Sequence, residues 1–455
     1  MTGPRHIAVI DIGKTNAKLA LVDGGSLAEI AVVTRPNVPL PGPPWLHTDI
    51  EVLWQFFVDH LRAFHADRGV DAISVTTHGA AAVLLDAAGN LAVPMLDYEY
   101  SGPETLQPDY DALRPDFSQS GSPRLAAGLN LGAQLHWLFA TRPDLQDRVA
   151  HVLTYPQYWG WRLTGQMATD VTMLGSHTDL WDPWCGQFSG LVEKLGLQEK
   201  IAPARRPDQV LGTLLPEISE LTGLRPETPV AVGIHDSNAS LYPYVLSRKP
   251  PFTVVSTGTW VISMAVGGGT KALNPEHDVL VNVNALGQPV PSARFMGGRE
   301  YELIRAGSEA NPGDADRAAV LAGGLMLLPA VEPSCGPFRG REMRWIGRPA
   351  NDGQRMVALS WYLALVTDVC LDQIGADGPV ILEGSFTRNE DFLAMLALRR
   401  PGRVEVATSA TGTSAGAALL CLDHAIPPET CLVSPPADPG ALEGYARAWR
   451  AALQL

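Results

Sequence analysis

One short pattern occurs in both halves of the chain. An apolar run, Ile7-Ala8-Val9-Ile10, meets the polar turn Asp11-Ile12-Gly13-Lys14-Thr15-Asn16 and continues into a second apolar run over residues 17–22. Far downstream, Phe252-Thr253-Val254-Val255 leads through Ser256-Thr257-Gly258-Thr259 into another apolar stretch ending at Val266. Each reads as strand, glycine-bearing turn and strand, a hairpin that needs further strands or a helix to be stable. Setting Asp11-Ile12-Gly13 against Ser256-Thr257-Gly258 aligns the flanking runs on both sides. A repeat this long is no solenoid period; duplication of a whole domain is the natural reading. The 455 residues agree, since one hydrophobic core stops growing at roughly 250–300 residues.

Around the first hairpin, residues 49–68 show helical spacing at Leu53, Phe56, Phe57, His60 and Leu61 with Asp49 placed to cap, and residues 71–76 and 80–85 return to strand character. An α/β domain follows. Residues 94–123 mix proline, glycine, aromatic and acidic residues without a period and read as irregular and surface-accessible. Residues 131–140 and 155–163 read as short helices, the second stopped by Gly165. The strand Val230-Ala231-Val232 and the run Gly233-Ile234-His235-Asp236 then lead into a helix, with a domain boundary near residue 240. The expected domains are 1–240 and 241–455, facing each other across a cleft.

Composition narrows the partners. Apolar residues make up 46% and charged residues 18% of the chain, which places it far from the disordered class. With 34 basic and 48 acidic residues the net charge is −14, and no basic patch offsets it, so neither nucleic acid nor an anionic membrane is expected as a partner. The five cysteines are odd in number and form no C-x-x-C pair, against a disulfide framework or a zinc site. The most apolar stretch, residues 72–93, is broken by His78, Asp86 and Asn90 and fails as a membrane span. No secretion signal is visible, and the expected location is cytoplasmic.

Gly13-Lys14-Thr15 invites a phosphate-loop reading, but that motif needs a glycine where Ala8 stands in a strand. A dinucleotide fingerprint fails too, because a strand follows the turn rather than a helix. A hairpin turn of this kind can still offer backbone N–H groups, a hydroxyl and a lysine to phosphate oxygens, while the acidic residue before it holds magnesium through water. An ordinary polar hairpin remains the alternative. Asp236, at a strand end and a helix start, suits either helix capping or general-base chemistry.

In this order and spacing the elements resemble the FGGY carbohydrate kinases of the actin-like ATPase superfamily. Asp11-Ile12-Gly13-Lys14-Thr15 is similar to the family's first phosphate motif, Ser256-Thr257-Gly258-Thr259 to its second, and Gly233-Ile234-His235-Asp236 to the segment carrying its catalytic base. Leu163-Thr164-Gly165, Thr169-Asp170 and Gln134-Leu135-His136-Trp137-Leu138 match further landmarks, and the likeness covers nearly the whole chain. Glu383-Gly384-Ser385 through Asn389, with the small-residue helix after Gly412, resembles the adenosine motif, although Glu383 and Ser385 interrupt its usual glycines. The literal F-G-G-Y sequence is absent; Met296-Gly297-Gly298-Arg299 is the nearest counterpart.

The resemblance implies two ribonuclease-H-like domains with an active-site cleft between them, ATP and Mg2+ as cosubstrate and cofactor, and a small sugar as acceptor. It assigns Asp236 as general base, Asp11 to the hydrated magnesium, and Gly13, Lys14, Thr15, Gly258 and Thr259 to phosphates, with Gly384, Ser385 and Asn389 at the nucleotide. His78, Gly79, Asp97 and Asp236 fall where relatives touch the sugar, but Asp97-Tyr98-Glu99-Tyr100 lacks the arginine of the family's W-x-D-x-R segment. Trp159 and Trp161 are candidates for stacking on a sugar face, or for core packing. Pro156-Gln157-Tyr158 and Gly13-Lys14-Thr15-Asn16 most resemble kinases of deoxy ketoses such as rhamnulose and fuculose. A homodimer is among the expectations. A sugar-responsive regulator is disfavoured because only five residues precede the first strand where such proteins carry a helix-turn-helix. A sugar-independent ATPase stays open.

Overall fold

In the computed structural model, which describes residues 3–269, 271–408, 412–436 and 439–454, the opening hairpin forms as its pattern predicts. Strands β1 (His6–Ile12) and β2 (Asn16–Asp23) pair antiparallel, with β3 (Glu29–Pro36) beyond β2. Helix α1 (Ile50–Arg68) starts where the Asp49 carboxylate accepts the Val52 N–H, and β4 (Ala72–Thr77) returns parallel to β1. Beyond it come β5 (Ala82–Leu85), α2 (Leu131–Thr141), β6 (His151–Thr154), which pairs with β5, and α3 (Tyr155–Thr164), closed by Gly165 in the left-handed region. The sheet is completed by β7 (Val210–Thr213), β8 (Pro229–Ala231) and β9 (Ile234–His235), and α4 (Asp236–Ser247) follows.

Strand alternation divides β1 between two cores. Ala8, Ile10 and Ile12 pack with Phe57 and Leu61 of α1 and Trp159 of α3, whereas Ile7 and Val9 pack with Ala239 and Tyr242 of α4 and with Ala417 and Leu419. Both faces of the central strand are covered, which is why its residues are apolar without alternation.

The second half is built from β10 (Phe252–Thr257), β11 (Val261–Val266), β12 (Val279–Val283), β13 (Pro289–Phe295), α5 (Gly297–Arg305), α6 (Asp352–Gln373), β14 (Val380–Gly384), α7 (Glu390–Arg399), β15 (Val404–Ala407), α8 (Thr413–Leu419) and β16 (Thr430–Leu432). Its sheet reproduces the first. The order β3-β2-β1-β4-β8-β7 and the order β13-β11-β10-β14-β15-β16 run through the same succession of pairings: antiparallel, antiparallel, parallel, parallel, antiparallel. The repeat seen in two short turns therefore extends over six strands. Helix α6 is apolar and long enough to cross a bilayer, but 89% of its most apolar stretch is buried within the second unit, where Asp368 pairs with Arg399, Arg400 and Arg450.

The compact units do not follow the expected cut at 240. Residues 1–248, 281–289 and 410–427 form one unit, and 249–280, 290–409 and 428–455 form the other. A boundary at 240 would sever α4, whose Leu241, Tyr242 and Tyr244 are buried. Helix α8, expected beside the adenosine motif, belongs instead to the first unit. It approaches α4 so closely that a Cβ on Gly416 would lie 1.7 Å from the Ala239 carbonyl oxygen, which is what its run of small residues permits. The segment 94–123 also differs from expectation. It holds short helices at Gly102–Leu106, Gln107–Leu113 and Phe117–Ser120 and buries Tyr110 completely, because the Tyr110 hydroxyl and Arg114 both bond the buried Asp179. All five cysteines are free.

Candidate active site

Three neighbouring parallel strands of the first unit end at the same level. Asp11 of β1 stands beside Thr76 of β4, and His235 of β9 beside Thr77, so Asp11, His78 and Asp236 all emerge at carboxyl ends of strands, where open α/β sheets place their ligands. Asp236 is the first residue of α4 rather than its cap. One of its oxygens accepts the Ser237 N–H at 2.6 Å, and the side chain keeps 30% of its surface open. Packing on the remaining sides pushes its carboxyl up to about 6, with Asp11 reinforcing the shift and His78 opposing it. That value suits a base working near neutral pH.

His235 braces this carboxylate. Burial pushes its imidazole down to about 4, so the ring is neutral. Its Nε2 lies 3.2 Å from Asp236 and its Nδ1 3.4 Å from the Asn238 amide nitrogen. This arrangement assigns the proton to Nε2, which donates to Asp236 while Nδ1 accepts from Asn238. The backbone behind is held as firmly. The His235 N–H donates to the Thr172 hydroxyl, which donates to fully buried Asp170. Gln157 donates to the carbonyls of Val232 and Gly233 at 3.0 and 3.1 Å, and its own carbonyl accepts from Thr154. Thr169-Asp170 and Gln157, landmarks in the sequence, thus act as the scaffold of Asp236. Gln134 is likewise structural, donating to the carbonyls of Ala80 and Gly128. Trp159 is fully buried against Trp54 and Phe57, which removes it as a stacking surface.

Asp11 is nearly buried, and its Oδ2 receives the Thr413 hydroxyl at 2.6 Å and the Lys18 ammonium at 3.1 Å. Burial disfavours the charge on Lys18, yet Asp11 and Glu29 together hold its pKa above the ordinary value. Among the described residues no group of three acidic, histidine or cysteine side chains could enclose a cation. The Asp11 charge raises the Asp236 pKa, so the two carboxylates share one neighbourhood, and hard oxygen donors of this kind fit a hydrated magnesium held through water.

The remaining first-unit residues gather around Lys14. Its ammonium lies 2.5 Å from both oxygens of Asp97, 3.2 Å from Glu99 and 4.7 Å from the centre of the Tyr98 ring. The Tyr98 ring meets His78, whose Nδ1 pairs with the Gly79 carbonyl at 2.9 Å. Burial lowers the His78 pKa, and Gly79 packs directly on the His235 ring. Gly13 and Thr15 stay at the turn, where Gly13 N–H closes the hairpin on Asn16 and Thr15 is exposed.

In the second unit a cavity of about 970 Å³, within the range of small-molecule sites, is lined by Gly258, Thr259, Ser385 and Asn389 together with Tyr301 and Arg388. Gly384 is not in its wall; it ends β14 against Thr257. The Thr257 hydroxyl accepts the Phe386 N–H and donates to the Glu383 carbonyl, tying the glycine turn to the segment after β14. Asn389 differs from expectation, since its amide caps α7 through the Phe392 N–H and donates to the Ser360 hydroxyl. It shapes the wall with both ends of its amide engaged. Gly298 lets α5 touch the turn, as a Cβ there would come within 2.1 Å of the Gly258 carbonyl oxygen. Tyr301 and Arg388 were not foreseen, although Met296-Gly297-Gly298-Arg299 marked the start of α5.

Comparison with known proteins identifies the family and the fold. Residues 6–242 match the N-terminal domain model of the FGGY family of carbohydrate kinases, and residues 249–429 match a C-terminal FGGY carbohydrate kinase domain. The chain is 28% identical to an L-fuculokinase of Salmonella typhi over 274 residues and 26% identical to a rhamnulokinase of Bacteroides thetaiotaomicron over 292. These alignments take in 58% and 61% of the chain and span 57% and 58% of those proteins' own lengths. A solved carbohydrate kinase from Novosphingobium aromaticivorans superposes with a TM-score of 0.90 at 37% identity, covering 100% of this chain and 99% of that one. A xylulose kinase from Rhodospirillum rubrum shares the fold at 21% identity, with a TM-score of 0.80 and coverage of 99% and 98%. Two matching domain models in order, a full-length structural relative and a duplicated six-strand topology lead to one conclusion: the chain belongs to the FGGY family of carbohydrate kinases.

Proposed function

We propose that the protein transfers the γ-phosphate of ATP to a hydroxyl of a small sugar, most closely a ketose such as L-rhamnulose, with Asp236 as general base. The observation that carries this reading is the Asp236 carboxylate, open on one side, poised near pH 6 and braced by a neutral histidine. Phosphoryl transfer asks chiefly for positioning, charge stabilisation and a group to take the hydroxyl proton. Gly258 and Thr259 face the cavity of nucleotide size and hold phosphate oxygens, and Gly13 and Thr15 offer the same backbone chemistry from the first turn. Asp11 would hold a hydrated magnesium ion, which would supply positive charge to neutralise the phosphates. The similarity to fuculokinase, rhamnulokinase and L-xylulose kinase sequences supports a ketose as the acceptor.

The test is ADP release over a panel of L- and D-ketoses, aldoses and polyols. Turnover that depends on one sugar class supports the kinase. ATP hydrolysis at the same rate with and without every sugar would make the protein an ATPase instead.

A further inference from the structure

Lys14 sits in a turn that resembles a phosphate motif, but its ammonium group is already enclosed by carboxylates. Asp97 takes it at 2.5 Å through both oxygens and Glu99 at 3.2 Å, while the Tyr98 ring covers it at 4.7 Å. Asp97 is fixed in turn: its side chain is 5% exposed, and it accepts the Glu99 N–H at 2.8 Å. One cation thus faces two carboxylates. Burial lowers the pKa of His78 beside them, and Asp236 adds a third carboxylate to the same neighbourhood. The local balance is negative. An incoming phosphate oxygen would meet Asp97 and Glu99 along with Lys14, and like charges at this range repel. A hydroxyl meets no such penalty, because it can accept from the ammonium and donate to a carboxylate at once.

We propose that Lys14 is a specificity-determining residue for the sugar acceptor rather than a phosphate ligand, and that the acceptor is an uncharged polyhydroxyl sugar from which sugar acids are excluded. The proposal rests on the kinase reading above.

The test compares wild type with Lys14→Met, Lys14→Arg and Asp97→Asn, varying sugar at saturating ATP and ATP at saturating sugar, with calorimetry of a non-hydrolysable ATP analogue. Lys14→Met is expected to raise the sugar KM about tenfold or more, as loss of a charged hydrogen bond does. Its ATP KM and analogue affinity should stay within about twofold, and Lys14→Arg should recover most of the sugar KM. Asp97→Asn, which preserves size, should move the sugar KM in the same direction and decides the matter if Lys14→Met fails to fold. A raised ATP KM with an unmoved sugar KM would overturn the proposal, as would an aldonate used as efficiently as the best ketose. Either result, in a wild type that phosphorylates sugars, leaves the kinase reading standing. A wild type that phosphorylates no sugar overturns both.

Discussion

Asp236 and Asp11 are carboxylates of one neighbourhood with different proposed tasks, and their surroundings separate them. Burial pushes the Asp236 carboxyl up to about 6, against His78 and the N–H and hydroxyl of Ser237, which favour its charged form. Below that value the base is protonated and cannot accept the hydroxyl proton; kcat/KM should therefore fall about tenfold per pH unit on the acid side and level off above pH 7. A pH–rate profile flat down to pH 5 would remove Asp236 from the role. Asp236→Asn should cost about 10²–10⁴-fold in kcat while leaving both KM values within a few-fold, as steady-state kinetics will show. Asp11→Ala should shift the magnesium titration of activity to higher concentration, because the ion loses its anchor. The two aspartates were legible from their places beside glycine turns and strand ends. The Thr413 hydroxyl on Asp11 was not, because 402 residues separate the partners.

At the scale of elements, the strand end carrying Asp236 is held by Asp170, whose carboxyl burial pushes up to about 7 against hydrogen bonds from Thr172 and Met173. In the unfolded chain it titrates near 4. The folded form therefore binds the extra proton between those values, and the stability this contributes is full at low pH and lost as pH rises through 7. Asp170→Asn should remove that dependence: its Tm relative to wild type should rise by on the order of a few degrees between pH 5 and 8, measured by calorimetry. The helix contact at Gly416 makes a second case. A side chain there must push α8 from α4, so Gly416→Ala should destabilise by about 1–3 kcal/mol in denaturant titrations and weaken the Thr413–Asp11 contact. The hairpins, α1, α3 and the Gly165 stop were readable because periodicity and caps are local. The helices within 94–123 were not, since their stability comes from a buried Tyr110–Asp179–Arg114 cluster that no local pattern encodes.

For the whole molecule, the duplicated topology offers two units that can be tested for separate ligands. If nucleotide is held by the second unit and sugar by the first, hydrogen exchange should report them separately. A non-hydrolysable ATP analogue should protect amides at 256–260 and 384–389, and the preferred ketose amides at 76–79 and 97–100. Protection by the sugar confined to the second unit would reverse the assignment.

What the sequence determined by itself was the pair of glycine turns, the strands that flank them, the acidic balance and the place of Asp236 between a strand end and a helix start. All of these are carried by neighbouring residues, whose spacing decides strand, turn or helix before any packing occurs. Tertiary structure decided which unit each segment joins and which charges meet. Helix α8 returns to the first unit because only its glycine and alanines fit against α4, and Lys14 turns to Asp97 and Glu99 because the end of β1 and the loop after β5 are brought side by side. Contacts between residues far apart in the chain depend on how strands are ordered in a sheet, and that order is an outcome of burying both faces of β1 and β10 at once.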